Sequence, residues 1–224
     1  DFRHAHHCAG FWGLLSDRLA DGQAKRNKTT DIFQDFFKQC WILSLTKATE
    51  KNNSEIVNLV NSAIADWEKG IRLERKFFRP GLLTVEDYTE TIRLKVYWLS
   101  LTSICLLQSL DQQSQIKSFQ LIYNMMLCGM QSRDDAMDFI EDEALNGISY
   151  PDALGVTPGS LYRNGLELLK KSSLLAKDLG FIKLSNWLDQ NSQVHFQIRF
   201  DEFPELDILG GWMLSTQVEA KLKM

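Results

Sequence analysis

Long segments without proline constrain this chain more than any other feature of its sequence. Only four prolines occur in 224 residues, and Pro80, Pro151 and Pro158 lie in turn-like surroundings. Between them, apolar residues recur at the three- and four-residue spacing of a helix face. In the segment Ala9–Ala20 these positions are Phe11, Trp12, Leu14, Leu15 and Leu19. The pattern predicts an all-α protein.

Three further segments carry specific expectations. Ile32–Leu45 is predicted as a buried or amphipathic helix, and its expected core residues are Phe33, Phe36, Phe37, Trp41 and Leu45. His195–Phe200 alternates polar and apolar residues, which is typical of a strand and unusual in an all-α protein. Trp212–Lys223 is predicted as a last amphipathic helix after two glycines.

Composition narrows the class of protein and its partners. The formal net charge is −4, which argues against nucleic acid as the main partner because phosphate binding needs a basic surface. No apolar run approaches the roughly 20 residues that span a bilayer, and no signal peptide is visible. Four cysteines lack any CxxC spacing, so we expect reduced thiols and a cytoplasmic protein. Residues 1–224 are predicted to form one domain that lacks its N-terminal helices, since no start signal opens the chain.

A row of carboxylates follows the apolar run Leu121–Met130. On a helix, Asp134 and Asp138 share a face with Gln131, and Asp142 extends the row by one turn. Carboxylates at this spacing repel each other, so a cation is expected to neutralise them. Oxygen ligands favour a hard divalent ion, Mg²⁺ rather than Zn²⁺. The alternative is a solvated acidic helix end.

A second acidic pair lies near the start of the chain. Asp17 and Asp21 are four residues apart, Gly22 is placed to end their helix, and Lys25 and Arg26 follow. Acids that hold a metal beside bases that hold phosphate oxygens would suit a metal–diphosphate complex. The alternative is a capped helix followed by a solvated basic turn.

Lys95 is a further cationic candidate because it lies among apolar residues on a predicted helix. Thr84-Val85-Glu86-Asp87 matches a capping box at the start of that helix. The Lys95 side chain either extends to the surface or meets an anion.

Together these motifs resemble the trans-isoprenyl diphosphate synthase family and the wider class I terpenoid synthases. The first DDxxD motif of the family is similar to Asp17–Asp21, and its FQxxDDxxD motif is similar to Met130–Asp138. Its GQxxD element resembles Gly70–Glu74, and its lysine element resembles Thr84–Tyr88 continuing to Lys95. The resemblance covers about residues 9–150. It implies a class I isoprenoid synthase-like antiparallel helical bundle around a central cavity.

The resemblance also implies the roles of individual residues. Magnesium ligands would be Asp17, Asp21, Asp134, Asp135 and Asp138. Diphosphate would be neutralised by Lys25, Arg26 and Arg133, while Lys95 and Gln131 would act in catalysis. Aromatic and apolar cavity-wall candidates are Phe11, Trp12, Tyr97, Trp98 and Met130.

Several positions depart from the family pattern. Arg18 replaces the middle aspartate of the first motif, Val96 follows Lys95 where threonine is usual, and Gly147-Ile148 stands where Gly-Lys is usual. In the family, the segment that binds isopentenyl diphosphate lies upstream of the first motif, and the resemblance predicts that the present sequence begins after it. The acceptor is therefore left open by the resemblance.

The function implied is a Mg²⁺-dependent prenyltransferase that ionises an allylic prenyl diphosphate of the C15–C20 class and transfers the prenyl group to an unspecified acceptor. A homodimer is the usual assembly of such folds. Two alternatives remain: a terpene cyclase, in which the cation is captured within one molecule, and a non-catalytic subunit that retains the fold.

Overall fold

The computed structural model describes residues 1–49, 51–77 and 83–199, and these residues form helices without any strand. The first five helices are α1 (Phe2–Ala20), α2 (Lys28–Ala48), α3 (Asn53–Phe77), α4 (Val85–Val96) and α5 (Trp98–Ser109). The next five are α6 (Gln113–Met137), α7 (Phe139–Asn146), α8 (Tyr150–Leu154), α9 (Pro158–Asp178) and α10 (Ile182–Arg199). The prediction of an all-α protein is confirmed.

Side-chain caps determine where several helices begin. The Asn27 side chain accepts hydrogen bonds from the backbone N–H groups of Thr29 and Thr30 at the start of α2. Thr84 caps α4 as predicted, because its hydroxyl accepts from the N–H of Asp87 at 3.1 Å. At α9 the cap is Thr157, which accepts from the N–H of Ser160 at 3.0 Å.

One prediction about the C-terminal part of the chain is corrected, and another stays a prediction. The alternating segment that begins at His195 is helical as far as Arg199, where α10 ends, so the strand prediction is wrong for those residues. Phe200 and the helix predicted at Trp212–Lys223 lie outside the described residues. Alternation over a few residues favours a strand only weakly when the preceding segment already forms a helix.

The contacts divide the chain into two compact units. Unit 1 comprises Asp1–Ile71 and Leu94–Ile116, and unit 2 comprises Arg72–Arg93 and Lys117–Met224. Within residues 1–49, 51–77 and 83–199, no helix combines the length and apolar character of a bilayer-spanning segment.

Tryptophans form the centre of unit 1. The Trp12 ring centroid lies 6.2 Å from that of Trp41, 5.5 Å from that of Trp67 and 5.9 Å from that of Trp98. Large aromatic side chains of this kind supply much of the apolar burial that stabilises a small core. Trp12 and Trp98, predicted to line a cavity, instead belong to this packed cluster.

A close helix crossing organises unit 2. A Cβ atom on Gly129 of α6 would lie 2.8 Å from the carbonyl oxygen of Gly165 in α9. A Cβ atom on Gly165 would lie 2.6 Å from the carbonyl oxygen of Gly129 and 2.7 Å from the Cγ atom of Arg133. Only glycine at both positions permits this approach, which fixes the end of α6 against α9.

Candidate functional site

The acidic row at the end of α6 continues across a break in the helix. Asp138 belongs to neither α6 nor α7, yet its N–H donates to the carbonyl of Asp134 at 3.0 Å, and its own carbonyl accepts from the N–H of Asp142 at 2.8 Å. The helical spacing is therefore kept from Asp134 through Asp138 to Asp142. The side chains of Asp134 and Asp138 are exposed.

These carboxylates act on one another, and Glu74 at the end of α3 belongs to the same cluster. Burial raises the pKa of Asp142 from 3.8 to about 6, and the negative charges of Asp138, Glu74, Glu141 and Asp134 contribute to the increase. We call these five residues the acidic cluster. Asp142 therefore holds its proton closer to neutral pH than a free carboxyl group does, chiefly because of burial and in part because of the neighbouring negative charges.

Asp135 has a different environment from its neighbours. It is buried, and the hydroxyl of Tyr88 in α4 donates to its Oδ2 atom at 2.6 Å. The Nε2 atom of Gln131 donates to its Oδ1 atom at 2.7 Å. Both carboxylate oxygens thus accept hydrogen bonds from within unit 2. Gln131, predicted to act on an allylic cation, binds Asp135 in this structure.

Two tyrosines connect Asp135 to the acidic cluster. Tyr150 donates a hydrogen bond through its hydroxyl to Glu74, and its ring packs edge-on against Tyr88 with centroids 5.5 Å apart. Burial raises the pKa of Tyr88 and of Tyr150 well above 10, and the negative charges of Asp135 and Glu74 add to the increase. Both hydroxyls therefore stay protonated and act as donors at neutral pH.

Neither tyrosine was predicted to have a role. Tyr88 lies in the predicted lysine element, one turn after the Thr84 cap, and Tyr150 precedes Pro151, whose surroundings were described as turn-like. The residues next to each tyrosine do not indicate that its hydroxyl binds a carboxylate 47 or 76 positions away in the sequence. The turn-like surroundings of Pro151 form a short helix, α8, whose first residue is Tyr150.

Arg133 and Asn164 are buried polar residues close to the α6–α9 crossing. Arg133 is 7% exposed, its Cζ atom lies 5.7 Å from the centre of the Tyr162 ring, and its Nε atom has no hydrogen-bond partner in the described part of the chain. Asn164 is completely buried, and neither atom of its amide finds a partner among the described residues. Buried polar atoms are usually paired, so these are energetically costly positions.

The first acidic pair lies in unit 1. The N–H of Asp21 donates to the carbonyl of Asp17 at 2.9 Å, so the two residues keep the predicted spacing of one turn. Gly22 follows with a positive φ of 73°, as expected for a residue that ends a helix.

The basic residues after this pair are both exposed. Arg26 forms an ion pair with Asp31 at 2.9 Å, and Lys25 is also at the surface. Lys95 is half-buried against α3, where a Cβ atom on Gly70 would lie 2.9 Å from its Cγ atom. The predicted roles of Asp17, Asp21, Lys25, Arg26 and Lys95 in metal or diphosphate binding stay predictions.

The fit of a metal ion to unit 2 depends on the donor chemistry. Among the residues that the structure describes, no group of three or more His, Cys, Asp or Glu residues could hold a metal ion by itself. Mg²⁺, however, commonly takes only one or two protein carboxylates and completes its coordination with water and substrate phosphates. Asp134 and Asp138 are exposed carboxylates of the kind that Mg²⁺ binds, and both oxygens of the buried Asp135 accept hydrogen bonds.

Comparison with known proteins adds no family to this description. No protein-family profile, no curated protein and no solved structure matches the chain.

Proposed function

We propose that this chain is a Mg²⁺-dependent prenyltransferase that ionises an allylic prenyl diphosphate of the C15–C20 class and transfers the prenyl group to a nucleophilic acceptor. In this reaction the C–O bond breaks and diphosphate leaves with the electron pair. The allylic cation then forms a new bond with the acceptor, which loses a proton. The resemblance of the two acidic motifs to those of class I isoprenoid synthases supports the proposal.

One structural observation carries the argument. Partial burial, together with four neighbouring carboxylates, raises the pKa of Asp142 to about 6. The part of this shift that comes from repulsion is a cost to the folded protein, and a bound cation would remove that part. Carboxylate oxygens select a hard cation such as Mg²⁺.

Individual residues of unit 2 would then have separate roles. Asp134 and Asp138 would hold Mg²⁺, directly or through water. Bound Mg²⁺ would stabilise the negative charge that develops on the diphosphate as the C–O bond breaks. Asp135 would position the end of α6, because Tyr88 and Gln131 hold its carboxylate. Arg133 would contribute positive charge toward the diphosphate.

A non-catalytic subunit is the second candidate function, and two observations favour it. The described residues contain no group of three or more His, Cys, Asp or Glu residues that could hold a metal ion, and both oxygens of Asp135 already accept hydrogen bonds. Under this alternative the acidic cluster would be a remnant, and prenyl diphosphates would not be turned over.

Turnover distinguishes the two candidates. We expect purified protein with Mg²⁺ and farnesyl or geranylgeranyl diphosphate, supplied with a panel of acceptors, to release diphosphate and form a prenylated product detectable by mass spectrometry. Asp138→Asn should abolish most of this activity. Glu143→Gln is the matched control, because Glu143 is an exposed carboxylate of α7 outside the acidic cluster.

Three results would count against the proposal in different ways. A hydrocarbon formed without any acceptor would indicate a terpene cyclase. No diphosphate release with any substrate would favour the non-catalytic subunit. Equal activity of Asp138→Asn and wild type would remove the acidic cluster from the mechanism.

A further inference from the structure

Unit 1 contains two cysteines on the neighbouring helices α1 and α2. Cys8 of α1 is buried, whereas Cys40 of α2 is half-buried and packs against the same hydrophobic core. Neither thiol has a part in the proposed prenyl chemistry. Two thiols can form a disulfide only when the backbone brings them close together, so the register of the two helices decides what this pair can do.

Two contacts fix the register of α1 against α2. The Nε2 atom of Gln34 donates to the Oγ atom of Ser16 at 2.7 Å, and the rings of Phe11 and Phe37 stack with their centroids 5.3 Å apart. Earlier residues of α1 thus meet later residues of α2, as in antiparallel helices. One further turn in this direction, three residues back along α1 and three forward along α2, leads to the two cysteines. The register therefore places their thiols opposite each other.

Small residues around the pair let the two helices approach closely. Ala5 and Ala9 are buried on α1, and Ser44 is buried on α2, one turn after Cys40. Packed helices have axes about 8–10 Å apart, and each Cα atom lies about 2.3 Å from its axis, so facing Cα atoms come to about 3.5–5.5 Å. This range overlaps the roughly 4.4–6.8 Å that a disulfide spans between Cα atoms.

The two thiols differ in their access to solvent. Phe33 and Phe36 were predicted as core residues, but they are 51% and 55% exposed because they lie on a face of α2 that the core does not cover. The structure corrects that prediction. Cys40 lies one turn after Phe36, at the edge of this open face. A small solute can therefore reach Cys40, whereas Cys8 is only 5% exposed.

His4 lies beside the buried thiol, one turn earlier on α1. Its Nε2 atom is 3.6 Å from the Sγ atom of Cys8. Burial raises the pKa of Cys8, and the neighbouring Cys40 adds to the increase, so Cys8 stays a thiol at neutral pH. A thiol has to lose its proton when it attacks another sulfur atom. His4 is placed to accept that proton.

We propose that Cys8 and Cys40 form a reversible disulfide that joins α1 to α2 when the protein meets hydrogen peroxide. The Cys40 thiolate attacks one peroxide oxygen, the O–O bond breaks, and hydroxide leaves as Cys40 becomes a sulfenic acid. The sulfur of Cys8 then attacks the sulfur of Cys40 while its proton passes to His4. The S–O bond breaks, and the leaving hydroxide takes up this proton to become water.

The sum of these steps is balanced. Two thiols are oxidised to one disulfide, and one peroxide is reduced to two waters. A thiol reductant such as dithiothreitol reverses the change by thiol–disulfide exchange. The inference does not depend on prenyl chemistry, since it uses only residues of α1 and α2.

Peptide mapping of the wild-type protein tests the proposal. The protein is treated with hydrogen peroxide, its remaining thiols are blocked with N-ethylmaleimide in denaturant, and it is cut with trypsin without reduction. Cleavage after lysine and arginine places Cys8 in residues 4–18, Cys40 in residues 39–47 and Cys105 in residues 96–117. We expect the first two peptides to be joined and to separate with dithiothreitol. Cys105, a buried thiol of the same core, is the internal control and should carry N-ethylmaleimide.

Two single variants separate the roles of the cysteines. In Cys8→Ala no thiol resolves the sulfenic acid, so dimedone, which traps sulfenic acids, should label Cys40. In Cys40→Ser the buried Cys8 should remain a free thiol after the same treatment. These outcomes follow from the difference in exposure between the two thiols.

A third variant tests the proton acceptor. His4→Ala should slow disulfide formation at pH 7 at least about tenfold. It should leave the dimedone labelling of Cys40 in the Cys8→Ala background unchanged, because His4 acts only in the second step. His7→Ala is the matched control, since His7 is an exposed histidine of the same helix.

The wild-type map decides the question even if a variant does not fold. Free thiols at positions 8 and 40 after peroxide treatment would overturn the proposal. A disulfide between Cys40 residues of two copies, or one that joins either cysteine to Cys105 or Cys128, would also overturn it. Equal rates for His4→Ala and wild type would overturn the role given to His4.

Discussion

The substitution Asp142→Asn should stabilise the protein at neutral pH and have no effect in acid. The pKa of Asp142 is raised from 3.8 to about 6, so the folded state holds this proton more tightly than the unfolded chain. The stabilisation that follows is complete below about pH 4 and is lost as pH rises through about 6. Asparagine resembles the protonated carboxyl group and stays uncharged at every pH, so the variant keeps this stabilisation at neutral pH.

The magnitude follows from the size of the pKa shift. Two pKa units correspond to about 3 kcal/mol, and because Asp142 is only partly buried, solvent screening reduces the expected effect to about 1 kcal/mol. For a chain of this size, 1 kcal/mol raises the melting temperature by about 2–4 °C. We expect that increase for Asp142→Asn at pH 7.5 and none at pH 3.5.

Thermal unfolding followed by circular dichroism between pH 3.5 and 7.5 is the assay. Glu143→Gln provides the control, and its melting temperature should follow that of the wild type at every pH. A melting temperature of Asp142→Asn that lies below the wild type at pH 7.5, or a difference that is the same at both ends of the pH range, would refute the argument that the negative charge of Asp142 destabilises the folded protein.

Three other substitutions test the packing of unit 2 by chemical or thermal denaturation. Tyr88→Phe should destabilise the protein by about 1.5–3 kcal/mol, because buried Asp135 loses a hydrogen bond to a charged acceptor; a loss below about 0.5 kcal/mol would contradict the bond at 2.6 Å. Gly165→Ala should cost at least about 2 kcal/mol, since its Cβ atom would meet the carbonyl oxygen of Gly129 at 2.6 Å, and a neutral result would contradict the close crossing. Asn164→Leu should stabilise by about 1–2 kcal/mol, because two buried amide atoms without partners are removed; a destabilised variant would mean that they bind water or a ligand.

The periodicity of apolar residues was sufficient to predict the helices and the spacing of side chains along them. The rarity of proline predicted helices, and the capping box at Thr84 placed the start of α4 correctly. The one-turn spacing of Asp134, Asp138 and Asp142 was also predictable, because the spacing of side chains on a helix depends only on residues three or four positions apart. These features are set by local backbone geometry.

The environment of each side chain could not be predicted in the same way. Asp134 and Asp135 are adjacent, yet one is exposed and the other accepts bonds from Tyr88, which lies 47 residues away, and from Gln131. Phe33 and Phe36 fit a helical apolar face, but a face alone does not reveal what covers it. Both outcomes depend on contacts between helices that are distant in sequence.

Isothermal titration with Mg²⁺ and inorganic diphosphate tests the central claim, that the acidic cluster at the junction of α6 and α7 binds a metal–diphosphate complex. We expect Mg²⁺ and diphosphate to bind together to the wild-type protein. Asp138→Asn should weaken that binding at least about tenfold, a loss of about 1.4 kcal/mol. Glu143→Gln should leave the binding unchanged. No binding to wild type, or equal binding by wild type and Asp138→Asn, would contradict the claim.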